Sequence, residues 1–185
     1  MDRRHFLGLA AGLGLGLVPG VALSGEAFSY AESFWRQPRT LNLYRPVNGE
    51  RLKLTYWNGD YDLAAYSRVC WLLRDVRAER YVQMDPKLLD LLFAIQQYLG
   101  RFGYTDPVHI LSGYRSKATN DALIEQGAAK NSMHLYGKAI DFRVPHLPTA
   151  YLARLVKYFQ AGGVGTYLNS GFVHMDTGRV RFWGR

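Results

Sequence analysis

The chain has 185 residues, 48% hydrophobic and 14% aromatic, which is enough for one domain with its own core and excludes a disordered segment. Its 23 Lys and Arg against 15 Asp and Glu leave a formal charge of +8, which points to an anionic partner: nucleic acid, a membrane surface or a polyanionic wall. A single cysteine, Cys70, excludes an intramolecular disulfide framework and a cysteine-rich zinc site.

The first 31 residues read as an export address. Met1-Asp2-Arg3-Arg4-His5-Phe6-Leu7 opens a Gly/Ala/Leu-rich run to about Leu23, a charged start followed by a short apolar stretch and small residues. Gly8, Gly12, Gly14 and Gly16 dilute that run and Pro19 breaks it, which argues against a stable membrane-spanning helix. Arg3-Arg4 ahead of Phe6-Leu7 resembles a twin-arginine signal, and small residues permit cleavage after Ala22, Ala27 or Ala31. The charges lost by cutting after Ala31 (Asp2, Arg3, Arg4 and Glu26) cancel, so the mature chain over residues 32–185 keeps its +8. Export to the periplasm sets nucleic acid aside and leaves the wall and the membrane surface as partners. No stable insertion of the mature chain in the membrane is expected.

Along the mature chain, Leu41 and Leu43 alternate with polar neighbours, Asn48-Gly49 supplies a turn, and Leu52, Leu54 and Tyr56 alternate on the return; this predicts a β-hairpin. Leu63, Tyr66, Cys70, Leu73 and Val76 recur at helical spacing, predicting a helix from Leu63 to about Arg80 with Cys70 buried. Asp85 as N-cap, Pro86 at the first helical position and Gly100 after the end punctuate the next helix. Strands are expected at Val108–Leu111 and Ala139–Val144, with the turn Ser112-Gly113-Tyr114-Arg115-Ser116 and a short helix to about Gln126 between them. A helix over Thr149–Ala161 and two closing strands, Gly165–Tyr167 and Phe172–Asp176, complete the chain. Short mixed elements without regular βαβ alternation indicate an α+β single domain, a central mainly antiparallel sheet flanked by helices.

The chemistry concentrates in Ser132-Met133-His134-Leu135-Tyr136-Gly137-Lys138-Ala139-Ile140-Asp141. Strand alternation puts Ala139, Asp141 and Arg143 on one face and Ile140, Phe142 and Val144 on the other, toward a core. The last strand repeats the pattern, with Phe172, His174 and Asp176 on one face and Val173 and Met175 on the other. If these strands are neighbours, His134, Asp141 and His174 converge. Two imidazoles and a carboxylate are the ligand count of a catalytic zinc site with its fourth position open. The His-Glu-x-x-His motif of other metalloproteases is absent.

The string S-x-H-x-x-G-x-A-x-D, followed by the distal Phe172-Val173-His174-Met175-Asp176-Thr177-Gly178, resembles the signature of the zinc peptidases grouped around lysostaphin, the D-Ala-D-Ala peptidases and the hedgehog amino-terminal domain. Within that group the chain is most similar to the YcbK-type murein endopeptidases. Leu41-Asn42-Leu43, Leu111-Ser112-Gly113-Tyr114-Arg115-Ser116 and Gly162-Gly163-Val164-Gly165 extend the likeness over nearly the whole chain. The resemblance implies a hedgehog/D-Ala-D-Ala-peptidase-like fold and one Zn2+ per chain held by His134, Asp141 and His174. It implies hydrolysis of peptidoglycan cross-links at a bond to meso-diaminopimelate during cell-wall remodelling.

A base must receive a proton during attack, and Asp176 is the candidate; its alternative role is to orient a ligand imidazole. Related enzymes carry a His or Glu base just before the last ligand, where this chain has Phe172 and Val173. Arg115 is expected to stabilise the oxyanion or bind a substrate carboxylate, with Ser132 and Tyr114 as further substrate contacts. Trimming of stem peptides by a carboxypeptidase or dipeptidase, and a non-catalytic peptidoglycan-binding module, are the alternatives.

Overall fold

The alternating leucines of the first hairpin set the edge of the sheet. In a computed structural model, which describes residues 32–184, β1 (Arg39–Arg45) and β2 (Glu50–Trp57) pair antiparallel around the Asn48-Gly49 turn. The expected export leader, residues 1–31, lies outside the described residues. Helices α1 (Leu63–Leu72) and α2 (Pro86–Gly100) follow, then β3 (Val108–Ser112) and α3 (Lys117–Ala122). A 3-10 turn at Met133–Tyr136 leads into β4 (Ala139–Arg143), α4 (Thr149–Tyr158), β5 (Gly163–Tyr167), β6 (Phe172–Asp176) and β7 (Arg181–Gly184).

The strands form one sheet in the order β2-β1-β3-β4-β6-β5-β7. Pairing is antiparallel at β1–β2, β3–β4, β4–β6 and β5–β6 and parallel at β1–β3 and β5–β7, so the expected mainly antiparallel α+β domain is found. β4 and β6 are direct neighbours, with Asp141 opposite His174 and Ala139 opposite Asp176.

The core lies on one face of this sheet. Ile140 and Phe142 of β4, Val173 and Met175 of β6, and Leu152 and Val156 of α4 join one buried cluster. Helix α2 is buried on most of its circumference, with Leu88, Leu89, Leu91, Leu92, Phe93 and Ile95 all inaccessible or nearly so. Such a helix sits inside a domain rather than on it, and each fully buried Leu contributes about 1.5–3 kcal/mol. Asp85 caps it, accepting from the Lys87 amide at 3.0 Å with Pro86 at the first helical position.

Three local expectations change. The helix begun at Leu63 stops at Leu72, not near Arg80, because Asp75 and Arg80 bond each other's backbone (2.8 and 3.2 Å) and close a tight loop. The helix begun at Thr149 ends at Tyr158, and Gln160 turns out of it with φ of 46°. Finally, β7 was not expected: Arg181 and Trp183 alternate with Phe182 on a strand that pairs parallel to β5. Cys70 is buried, as expected, and burial pushes its thiol pKa up.

Candidate metal centre and its cleft

Asp141 and His174 meet because β4 and β6 are in register, and His134 reaches them from the 3-10 turn that precedes β4. Ser132 starts that turn, its hydroxyl accepting from the His134 amide at 3.4 Å, and Gly137 ends it with φ of 65°. The ligand-type atoms of His134, Asp141 and His174 all lie within 4.8 Å of one another, and all three residues are buried. Nε2 of His134 is 3.2 Å from Oδ1 of Asp141 and 3.2 Å from Nδ1 of His174; Nδ1 of His174 is 2.8 Å from the same Oδ1.

The opposite nitrogen of each imidazole already has an acceptor. Nδ1 of His134 donates to the Gly113 carbonyl at 2.6 Å, and Nε2 of His174 donates to Oδ2 of Asp176 at 3.0 Å. In the neutral rings these bonds leave Nε2 of His134 and Nδ1 of His174 as bare lone pairs aimed at a carboxylate oxygen. With both rings neutral these three buried acceptors repel, and only a shared proton or a cation relieves them, so the donor set fits a divalent cation. Burial lowers the pKa of His134 and keeps its ring neutral. Burial acts the same way on His174, but the carboxylates of Asp141 and Asp176 outweigh it and raise its pKa. Burial opposes ionisation of Asp141 too, yet the two imidazoles hold its carboxyl well below the usual range.

Gly113 positions both sides of the centre. A Cβ on this residue would lie 2.2 Å from the Leu73 carbonyl oxygen, so only glycine lets the turn approach α1 this closely. The Tyr114 amide bonds the same carbonyl at 2.8 Å, and the Ser116 amide bonds Oδ2 of Asp75 at 2.8 Å. Between these two anchors Arg115 extends toward the centre, its Nε on the Ser112 hydroxyl at 2.9 Å and its Nη2 on Oδ2 of Asp141.

Asp176 is sealed. Its Oδ1 accepts from the amides of Gly163 (3.0 Å) and Gly178 (2.8 Å) and from Nη1 of Arg181 (3.1 Å); its Oδ2 accepts from Nη2 of Arg181 (2.7 Å) and from His174. Its side chain has no solvent exposure. Burial opposes ionisation, but His174, Arg181 and the two amides hold the carboxyl far below the usual range. A Cβ on Gly163 would lie 2.4 Å from Oδ2 of Asp176, so this strand too comes close only because it has no side chain there.

The centre opens into a cleft of about 710 Å³. Arg115, Ser132, His134, Asp141 and His174 line it; Tyr114 and Tyr136 do not. Tyr114 packs against the hydrophobic core, since the Gly113–Ser116 anchors fix which way its turn projects, and Tyr136, at the end of the 3-10 turn, is exposed. The far wall is aromatic: Tyr167 stacks on Phe172 at 4.5 Å, Trp183 donates to the Tyr167 hydroxyl at 3.1 Å, and the Trp183 ring lies 5.3 Å from that of His174. Among the described residues lining the cleft, Asp141 is the sole carboxylate. Sequence reasoning missed Arg181 and Trp183, although Val180-Arg181-Phe182-Trp183 alternates as a strand does.

The profile of one protein family, described as peptidoglycan L,D-endopeptidase MepK, matches residues 33–183. Peptidoglycan L,D-endopeptidase MepK of Escherichia coli (strain K12) is 34% identical over 186 residues, which cover 98% of this chain and 97% of that protein. The protein of the same name from Shigella flexneri matches to the same extent. Probable peptidoglycan L,D-endopeptidase MepK of Haemophilus influenzae is 34% identical over 191 residues, covering 98% of this chain and 95% of its own length. With a family profile matched over nearly the whole described domain, and relatives aligned end to end, the chain belongs to the peptidoglycan L,D-endopeptidase MepK family.

Proposed function

We propose that this protein is a zinc-dependent murein endopeptidase that hydrolyses peptide cross-links of peptidoglycan at a bond to meso-diaminopimelate, after export to the periplasm by the twin-arginine route. The observation that carries this reading is the convergence of Nε2 of His134, Oδ1 of Asp141 and Nδ1 of His174 at the floor of an open cleft. These three atoms would hold one Zn2+. When bound, zinc supplies Lewis-acid polarisation of a peptide carbonyl and acidification of water.

The chain's own residues have separable roles. Arg115, a permanent cation fixed by Ser112 and Asp141, sits at the cleft edge to neutralise the oxyanion that develops on a scissile carbonyl. Asp176 acts as a positioning residue, not as the base expected from sequence: five hydrogen bonds occupy its oxygens and its side chain does not reach the cleft. It fixes the His174 tautomer that leaves Nδ1 unprotonated. Arg181 neutralises Asp176 and holds its plane. Ser132 contributes through its hydroxyl, which caps the turn that carries His134, and the Tyr167–Phe172–Trp183 wall gives substrate an apolar surface.

The test is digestion of purified cross-linked muropeptides, followed by mass analysis, with and without chelator. Dimers converted to monomers only in the metal-loaded protein support endopeptidase action. Loss of a single terminal residue would instead identify a trimming peptidase, and intact dimers under both conditions would overturn the hydrolase reading.

A further inference from the structure

The open face of the sheet carries a second feature beside the metal centre. On β1, Leu41, Leu43 and Arg45 point into the interior, so Tyr44 faces the other way. Register then sets four residues side by side across four strands: Arg51 opposite Tyr44, Tyr44 beside His109, and His109 opposite Arg143. The Arg51 guanidinium lies 4.3 Å from the centre of the Tyr44 ring, and that ring meets the His109 ring edge-on at 5.0 Å. Arg143 shares its strand face with Asp141, two residues away, roughly 7 Å along β4. The row starts next to the metal centre and runs across three strand spacings, roughly 14 Å.

The row is cationic, with Asp106 the one acid acting on its His109. Among the described residues no carboxylate pairs with Arg51 or Arg143. Glu50, the neighbour of Arg51, is taken by Arg74 at 2.8 Å, and Asp106, the acid that acts on His109, lies 3.9 Å from Nε2 of His146. Burial together with Arg143 and Arg51 keeps the His109 pKa below its ordinary value, as expected where positive charge is not neutralised. Both arginines are exposed. Arg51 is nevertheless held on a ring, which reduces the entropy it would lose on meeting a ligand.

We propose that the row Arg51–Tyr44–His109–Arg143 is a substrate subsite that receives the free carboxylates of the stem peptide on one side of the bond being cut. This rests on the peptidoglycan endopeptidase reading above and extends it from the reacting centre to the peptide beyond it. An extended peptide advances about 3.3 Å per residue, so the row matches about four residues, and guanidinium groups at its two ends suit carboxylates spaced along such a chain. Tyr44 and His109 between them offer an aromatic surface for the intervening backbone.

Binding of an uncross-linked stem tetrapeptide with free carboxylates, and of the same peptide with its side-chain carboxylates amidated, is measured by calorimetry. The proteins are the wild type, R51Q, R143Q, the double variant, and R154Q on the helix side of the sheet as a charge-matched control. The double variant is expected to lose roughly tenfold or more in affinity for the free acid, as for removed charge-assisted hydrogen bonds, and nothing for the amide. The control should match the wild type, and zinc content and thermal melting should be unchanged in every variant. On cross-linked dimers KM should rise while kcat stays within about twofold. Equal affinity of wild type and double variant for the free acid, or equal losses for acid and amide, overturns the subsite. A wild type that binds the stem through these arginines yet leaves dimers uncut overturns the hydrolase reading and keeps the subsite.

Discussion

The imidazole of His174 is held between two carboxylates, with Nε2 at 3.0 Å from Oδ2 of Asp176 and Nδ1 at 2.8 Å from Oδ1 of Asp141. One contact fixes the proton and the other marks the lone pair, which in the metal site proposed above puts Asp176 outside the ligand set, orienting a ligand imidazole. D176N is therefore expected to weaken zinc binding by about 10–100-fold, read by competition with a chromophoric chelator. R181M should give a smaller loss of the same kind, because Asp176 keeps its two backbone amides. Unchanged zinc affinity with turnover reduced about 10²–10⁴-fold would instead make Asp176 a base.

How far the sequence carried this site depends on what set each position. Strand alternation placed Asp141 and His174 on the polar face and Val173 and Met175 in the core, because period-2 geometry needs only local sequence. His134 was legible only through its motif, since a 3-10 turn has no periodicity to read. For Asp176 the sequence left two roles open, base or imidazole anchor, because the choice turns on how Gly163 of β5 and the segment Gly178–Arg181 close around its carboxylate. β7 was missed because a four-residue edge strand, Arg181–Gly184, pairs parallel to β5 and offers no turn signal. The early stop of α1 follows from the Asp75–Arg80 loop, which has no periodicity to read, and the Leu73 carbonyl beside it then serves the Tyr114 amide, about 40 residues along the chain.

That long-range contact can be tested directly. G113A would place a methyl group 2.2 Å from the Leu73 carbonyl oxygen, forcing the turn away from α1 and the Gly113 carbonyl away from Nδ1 of His134. The expected result is a lower melting temperature, by roughly 1–3 kcal/mol of stability as for other overpacked sites, together with weaker zinc binding. Loss of stability with zinc affinity intact would show that the turn is structural only.

Removing the metal should expose the repulsion built into the centre. With zinc stripped by chelator, the bare acceptors of His134, Asp141 and His174 face one another, and melting is expected to fall and to recover with added zinc in proportion to RT ln(1 + [Zn]/Kd). H134A should retain no zinc and have no activity, and its melting temperature should not respond to metal. A metal-dependent rise in H134A would mean that the cation sits elsewhere.

The acid limb of stability should depend on Glu50, which lies far from the centre on β2. Arg74 grips this carboxylate through two nitrogens, both at 2.8 Å, and that hydrogen bonding holds its pKa below the ordinary value. A carboxyl whose folded pKa is depressed binds its proton more readily when unfolded. The stabilisation is therefore full above the unfolded value of about 4.3 and is lost as pH falls through the lower folded value. Because Glu50 is partly exposed the effect is screened, at most about 1 kcal/mol. E50Q is expected to lower stability at pH 7 by that amount and to flatten its decline between about pH 5 and pH 3, measured by urea unfolding at each pH. Parallel declines in the two proteins would remove Glu50 from the acid response.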